Sequence, residues 1–226
     1  MGNRFLAHQG ILIFHEYRYM KIHFFLSEAA KFYTHLLHFI RLLPNRVRLR
    51  IKFFGHPIRI HPSTRVSRRS IIETVPLRKG SIRIGENCLI HDHAKIQTLS
   101  GGVVELGEDC SVNDFTIIRA GGKITIGNHV RIVPHCCIID INYNFDRPDV
   151  LIRLQGRTTR PIVVEDDVWI GANTCILGGV TIGKGSVIGA GSVVLRSIPM
   201  NSVAYGNPAR VARRRGMEDV SGTMQE

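Results

Sequence analysis

The sequence has no Cys-x-x-Cys pair, no apolar run long enough to cross a membrane and few acidic residues in its first third. Each shortage excludes something. Without Cys-x-x-Cys, a zinc ribbon or a thioredoxin-type redox site has no support. The five cysteines, Cys88, Cys110, Cys136, Cys137 and Cys175, are odd in number and show no disulfide framework. A reducing, cytoplasmic setting is therefore expected. The richest apolar stretch, residues 24–43, is broken by Glu28, Lys31, His35, His38 and Arg41, whereas a membrane span needs roughly 20 apolar residues. The apolar stretch 10–14 is too short for a signal-peptide core, and Leu6 stands where a myristoylation signal needs Ser or Thr. Gly-x-Ser-x-Gly is absent, so a hydrolase nucleophile elbow has no support. Gly183-Lys184-Gly185-Ser186 is too short for a phosphate loop. No helix-turn-helix, zinc finger or RNP aromatic pair is present, so no nucleic-acid partner is expected.

The charge that is present is unevenly placed. The chain has 226 residues, with 30 Lys and Arg against 18 Asp and Glu, a net +12. Residues 1–80 hold fifteen Lys and Arg against three Asp and Glu, and residues 81–226 hold fifteen of each. The excess therefore sits wholly in the first third. That excludes a uniform polyanion-coating protein and leaves a basic front end on a neutral body. Hydrophobic residues at 44% and charged residues at 21% suit a folded protein rather than a disordered one.

The body carries a six-residue rhythm. Aliphatic residues recur at Ile84, Ile90 and Ile96, then at Leu106, Val112 and Ile118, and then at Ile126, Ile132 and Ile138. After an interruption the rhythm runs Val164, Ile170, Ile176, Ile182, Ile188 and Val194, and Ile60, Val66 and Ile72 form an upstream echo. Gly often follows, as at Gly85, Gly107, Gly127, Gly171, Gly183 and Gly189. Four residues after the aliphatic one comes a small or modest side chain, such as Cys88, Ala94, Cys110, Thr116, Thr174, Ser186 or Ser192. A strand alternates its side chains between two faces, so the aliphatic residue and the one two before it point inward together. A Gly or turn-tolerant residue then lets the chain bend. Three hexads make a triangular coil, and each coil hides its apolar ring only against its neighbours. An ordinary sandwich gives alternation but no phase-locked period of six. Ser100-Gly101-Gly102 and Ala120-Gly121-Gly122 each follow three hexads and read as small insertions at one corner.

Residues 140–161 break the rhythm with Pro, Gly and charge. A loop this long in a regular solenoid is more often functional than idle. Residues 15–43 carry apolar residues at helical spacing up to Pro44, followed by an alternating basic and aliphatic ribbon at residues 46–52, read as a strand. This front end reads as a helical lid on the first coil. The competing reading is a peripheral membrane contact that sets basic side chains against anionic headgroups at the inner face. Residues 208–215 read as a short basic helix. The expected organisation is a basic helical segment over 1–52, a solenoid domain over 53–207 with its loop at 140–161, and a C-terminal helix and tail over 208–226.

Several stretches are specific. They are Val168-Trp169-Ile170-Gly171-Ala172, the run from Ile176 to Gly183, Gly189-Ala190-Gly191-Ser192-Val193, and Gly206-Asn207-Pro208-Ala209. In this order they resemble the hexapeptide-repeat acyltransferases, in particular the branch that acetylates sugars and polysaccharides. Gln155-Gly156 and Asn142-Tyr143-Asn144-Phe145 resemble the loop of the polysaccharide-modifying members. The resemblance covers about residues 45–215. It implies an all-β fold, a left-handed parallel β-helix. It also implies acetyl-CoA as donor, a sugar hydroxyl as acceptor, no metal, and a homotrimer with active sites between subunits. By this match Gly171, Ala172, Gly189 and Ala190 are coenzyme-site candidates, and Arg196, Arg210 and Arg213 could meet its phosphates through their planar donor forks. Asp140, Asn142 and Tyr143 fall on the catalytic loop pattern, and Asn144 and Gln155 are acceptor-site candidates.

Acetyl transfer to an alcohol needs a base, and a neutral His can take the proton and return it to the leaving thiolate. The family pattern has the form Asp-His-Asn-His-x-Phe. Here it reads Asp140-Ile141-Asn142-Tyr143-Asn144-Phe145, with both His positions replaced. An unperturbed Tyr has a pKa near ~10, which suits a base poorly at neutral pH. Three readings stay open. His135 serves instead, with His129 in the equivalent place of the preceding hexad and expected on the same face. Tyr143 takes an altered role beside His135. Or the scaffold has lost its chemistry and binds without turnover. His91 and His93 flank Asp92 without an identifiable third ligand and read as surface.

Overall fold

In the computed structural model, the described residues are 53–75 and 80–217, together with Pro44, Val47 and Leu49. The chain divides into two compact units, Met1–Arg48 and Leu49–Glu226. The helix expected over residues 15–43 lies outside the described residues. Val47 and Leu49 are helical rather than extended: the Val47 N–H donates to the Pro44 carbonyl at 3.0 Å, and the Phe53 N–H to that of Leu49 at 3.0 Å. The strand read at 46–52 is therefore corrected. A two-residue alternation does not fix a strand where no neighbour supplies ladder bonds.

The second unit is a solenoid of short strands. Its first coil is β1 (Ile58–Ile60), β2 (Arg65–Val66) and β3 (Ile71–Val75), and its second is β4 (Ser81–Ile84), β5 (Leu89–Ile90) and β6 (Lys95–Leu99). The third is β7 (Val103–Leu106), β8 (Ser111–Val112) and β9 (Ile117–Ala120), and the fourth is β10 (Lys123–Ile126), β11 (Arg131–Ile132) and β12 (Cys137–Ile139). A hairpin of β13 (Ile141–Tyr143) and β14 (Arg157–Thr159) then leaves the solenoid, with a 3-10 turn at Ile152–Leu154 between its strands. The fifth coil is β15 (Ile162–Val164), β16 (Trp169–Ile170) and β17 (Cys175–Leu177), and the sixth is β18 (Thr181–Ile182), β19 (Val187–Ile188) and β20 (Val193–Val194). β21 (Ser202–Gly206) and β22 (Ala209–Arg214) close the chain.

The first, second and third strands of each coil stack into three sheets, A, B and C. Pairing between coils is parallel, and the aliphatic positions meet in register: Ile84 opposes Leu106, Leu106 opposes Ile126, and Ile126 opposes Val164. The core is the column of these side chains, with Ile96, Ile118, Ile132, Ile138, Ile170, Ile176 and Ile182 fully buried. Each contributes roughly 1.5–3 kcal/mol. The small side chains four residues on are also inside. Cys88, Ala94, Thr116, Ser186 and Ser192 are completely buried, because at these corners the coil is too narrow for a larger group.

The bend itself falls elsewhere than the sequence suggests. The glycines after the aliphatic residues are there because the next coil presses on them: a Cβ at Gly171 would lie 2.6 Å from the Ala190 nitrogen and 2.8 Å from the Ile188 oxygen. The left-handed backbone sits two residues later, at Asn87, Asp109, His129 and Asp167 on the A–B corner and at His93, Phe115, His135 and Asn173 on the B–C corner. His129 and His135 therefore leave different corners rather than one face. One hexad is one side of the triangle, so only residues a full coil apart share a direction.

The C-terminal helix is also corrected. Residues 209–214 form β22, antiparallel on β21, with Tyr205 opposite Arg210 and Val203 opposite Arg213. Ala and Arg favour helix locally, but β21 offers unpaired backbone groups at the last edge of sheet B, and β22 satisfies them. No helix among the described residues is long and apolar enough to cross a membrane.

Candidate functional site

The B–C corner gathers most of the expected site. His135 in coil four, Gly171-Ala172-Asn173 in coil five and Gly189-Ala190-Gly191 in coil six occupy successive places along this edge. The stacking is backbone to backbone, with the Asn173 N–H donating to the Pro134 carbonyl at 3.1 Å and the Gly191 N–H to that of Ala172 at 2.8 Å. Ala190 and Gly191 are exposed and Ala172 is half-buried, while Gly171 is buried between coils. The turn between β21 and β22 continues the edge: the Gly206 N–H donates to Ser192 Oγ at 3.2 Å, and a Cβ at Gly189 would meet Tyr205 Cβ at 2.8 Å. Arg210, opposite Tyr205, is thus beside this edge. Arg213 lies three residues further along β22, opposite Val203. Arg196 follows β20 and stands on the C–A corner instead.

The same edge carries a ladder of rings. His93, Phe115 and His135 stack with centroids 4.8 and 5.1 Å apart and planes within 9° and 2° of parallel. All three have positive φ, Phe115 at 58°. Such a conformation costs a bulky residue roughly 1–2 kcal/mol, which ring stacking on both sides helps to offset. Among the described residues neither imidazole nitrogen of His135 has a hydrogen-bond partner, so the ring is exposed and open to a ligand.

The loop starts at the C–A corner, separated from His135 by β12. Within one chain, therefore, the structure does not bring Tyr143 beside His135. Asp140 is 1% exposed, and its two oxygens accept the N–H groups of Gly121 at 2.7 Å and Gly122 at 2.8 Å. Its own carbonyl accepts from the Arg160 N–H at 3.0 Å. Asp140 thus ties the loop to the preceding coil through its carboxylate and to the loop's far end through its carbonyl, and the carboxylate is buried facing Gly121 and Gly122. Asn144 and Gln155, expected to touch an acceptor, fold the loop. Asn144 Nδ2 donates to the Gln155 carbonyl at 3.0 Å and Oδ1 accepts from Thr158 Oγ1 at 2.6 Å. Gln155 Nε2 donates to the carbonyls of Arg147 and Val150 at 2.8 and 2.7 Å, and its Oε1 accepts the Arg147 N–H at 3.0 Å. Asn142 and Tyr143 are exposed, and the Arg157 guanidinium lies 4.8 Å over the Tyr143 ring.

A second cluster escaped the sequence reading. Asp109 Oδ2 accepts from His129 Nδ1 at 3.0 Å and from Arg131 Nη2 at 3.0 Å, and Arg131 Nη1 also donates to the Asp109 carbonyl. The hydrogen bond from His129, then that from Arg131, holds the Asp109 carboxyl below its usual range. With Nδ1 tied to the carboxylate, His129 keeps Nε2 free. His129 and Arg131, with Asp167, Val168, Trp169, Val187 and Arg215, line a cleft of about 320 Å³. The signal was the coil length: Asp109 and His129 are 20 residues apart and share a corner. It becomes visible only once hexads are grouped in threes.

On the other side of the B–C corner, Asp92 accepts from Ser67 Oγ and, at 3.4 Å, from Arg69 Nη1. The Ser67 hydroxyl chiefly lowers its pKa. Among the described residues no group of three His, Cys, Asp or Glu is arranged to hold a metal.

Comparison with known proteins bears on the family and the fold. The family pattern described as bacterial transferase hexapeptide (six repeats) matches residues 161–196. The galactoside O-acetyltransferase of Lactococcus lactis is 37% identical over 139 residues, 61% of this chain and 65% of that one. WbbJ of Escherichia coli, named for O-acetyl transfer in lipopolysaccharide biosynthesis, is 31% identical over 142 residues, 60% of this chain and 72% of that one. The chain thus spans about two thirds of these relatives. Among solved structures, a variant of AntD, an N-acyltransferase from Bacillus cereus in complex with dTDP-4-amino-4,6-dideoxyglucose and coenzyme A, has a TM-score of 0.63. That match covers 75% of this chain and 90% of that one at 22% identity, a likeness of fold. Solenoid, register and relatives agree, and the chain belongs to the hexapeptide-repeat transferase family.

Proposed function

We propose that the protein transfers an acetyl group from acetyl-CoA to a sugar hydroxyl along the B–C edge. The observation that carries this reading is the single edge shared by His135, Gly171, Ala172, Gly189 and Ala190. Small side chains leave room for the amide-rich pantetheine arm beside Ala172 and Ala190, whose N–H groups have no backbone partner among the described residues, and His135 lies one coil above Ala172 and two above Ala190. Arg210, beside the end of that edge, offers a guanidinium fork for coenzyme phosphate; Arg196 and Arg213 would serve only a coenzyme lying further from it. In the reaction the imidazole of His135 accepts the hydroxyl proton while the sugar oxygen bonds to the thioester carbonyl carbon. The carbon–sulfur bond then breaks, and the imidazolium returns the proton to the thiolate.

We further infer that Tyr143 reaches this edge from a neighbouring subunit of a homotrimer, since β12 separates the two residues within one chain. The outward face of sheet C between them favours assembly. Ile117, Ile139, Cys137, Cys175, Leu177 and Val193 are only half-buried there, whereas the outward face of sheet A carries Arg59, Arg83, Glu105 and Lys123. In this scheme Asp140, Asn144 and Gln155 position Tyr143 and the exposed Asn142 through the loop they hold. Arg59, Arg65, Arg68 and Arg83 are exposed, with no carboxylate partner among the described residues. They and the basic residues before them draw the enzyme to an anionic surface such as the inner face of a membrane.

The test is thiol release from acetyl-CoA. It is expected to require a sugar acceptor and to fall about 10²–10⁴-fold in His135→Ala, with a smaller loss in Tyr143→Phe. Full activity of His135→Ala removes the base assignment. Failure of the purified protein to bind coenzyme A in calorimetry removes the whole reading. Coenzyme binding without turnover on any sugar favours the scaffold alternative.

A further inference from the structure

The sheet B cleft takes no part in the chemistry assigned above, yet its lining is specific. Trp169 is the sole tryptophan of the sequence. It points outward from β16 and is 52% exposed, with Arg131 beside it in register on one side and Val187 on the other. About half of the indole stays open to solvent, an apolar face that a ligand can cover. The rim consists of flat polar groups already held in place. Arg131 and His129 are bound to Asp109, and Arg215 Nη1 donates to Asp167 Oδ2 at 2.7 Å and to the Gly185 carbonyl at 3.0 Å. A ligand meeting these groups would not have to order them first.

The formal charges of the two Arg–Asp pairs cancel, which disfavours a phosphate or a polyanion here. An apolar floor with a neutral rim of planar donors and acceptors fits a ligand that has one C–H face and a ring of hydroxyls. A pyranose has that shape: its C–H face lies on the indole, and its vicinal hydroxyls meet guanidinium, carboxylate and the free Nε2 of His129. We propose that this cleft binds one neutral sugar unit of the acceptor, outside the transferring edge. The proposal rests on the reading of the acceptor as a sugar and makes it a saccharide of more than one unit. Trp169 is two residues before Gly171, about 7 Å at ~3.3 Å per strand residue, so a short saccharide reaches from the indole to the edge.

Because Trp169 is the sole tryptophan, its fluorescence reports on this cleft alone. The full chain is titrated with neutral malto- and galacto-oligosaccharides of two to four units and, separately, with coenzyme A. A saturable change with an oligosaccharide is expected. Binding should weaken about tenfold, the loss of roughly 1.4 kcal/mol, in His129→Asn and in Arg131→Gln. Asn tolerates the left-handed backbone at position 129, so that variant keeps the corner. Three results overturn the proposal: no response to any of these saccharides, a response to coenzyme A alone, or an indole already shielded from acrylamide by a partner subunit. Thiol release on a monosaccharide without a fluorescence response sinks the cleft and leaves the transfer reading standing. A saccharide response without thiol release does the reverse.

Discussion

At the scale of single residues, the repeat divides its special positions between two different constraints. Gly171 has ordinary backbone angles and no room, while Gly191 has room and a φ of 68°. Alanine at 171 must push against backbone atoms of the next coil, which cannot yield as a flexible side chain would. Alanine at 191 meets nothing within 4 Å and bears only the left-handed penalty. Gly171→Ala is therefore expected to cost about 3 kcal/mol and Gly191→Ala about 1 kcal/mol, read as urea-unfolding midpoints. Equal losses would show that coil spacing gives way more easily than the geometry implies. The sequence sets Gly171 directly after Ile170 and Gly191 three residues after Ile188, but only the neighbouring coil and the backbone angle show which constraint each one meets. Phe115 is similar. Its place three residues after Val112 identifies a corner, but that a ring is held there by two imidazoles depends on coils 20 and 22 residues away.

At the scale of elements, the loop at 140–161 is a folded hairpin with its own internal staples, Asn144 and Gln155, fastened to the solenoid by one buried carboxylate. A charge-assisted hydrogen bond contributes about 1.5–3 kcal/mol. Asp140→Ala, which removes two, is expected to destabilise the protein by about 3 kcal/mol or more. It should also speed tryptic cutting at Arg153 and Arg157. Asp140→Asn keeps one acceptor oxygen and should lose about half as much. Unchanged stability and cutting in Asp140→Ala would mean that the loop is anchored elsewhere. Sequence reading found this loop and its polar residues but assigned Asp140, Asn144 and Gln155 to chemistry and contact. A carboxylate looks alike in sequence whether its partners are ligand atoms or the N–H groups of Gly121 and Gly122, and those partners are a coil away. The same limit explains β22, whose helix-favouring Ala and Arg residues answer to the open edge of β21.

At the scale of the whole molecule, each coil contacts only its neighbours, so stability accumulates along the stack. What distinguishes one side from another is the outward residue of each strand. Sheet A carries Arg59, Arg83, Glu105 and Lys123 outside, sheet B carries the cleft, and sheet C is apolar outside in its later strands, after Glu73, Lys95, Gln97 and Arg119 on the earlier ones. Leu177→Glu, on that apolar face and outside the core, is expected to leave a folded solenoid but dissociate the proposed trimer and abolish acetyl transfer. Light scattering coupled to size exclusion, circular dichroism and thiol release read the three effects together. A Leu177→Glu protein that remains trimeric and active would place the subunit contact on another face.

The sequence by itself determined the solenoid, its coil boundaries and the small inward side chains, because a six-residue period is a local property that every coil repeats. It also determined which residues could belong to a coenzyme edge, through the order of the glycine-rich stretches. The tertiary structure decided which corner each residue leaves and what each polar side chain touches. That is why His129 and His135 part company, why Asp140 is an anchor, and why His129, Arg131 and Trp169 meet in one cleft. Side chains of successive coils come into contact across about 20 residues of sequence, and a single hexad carries no record of which of the three faces it will form.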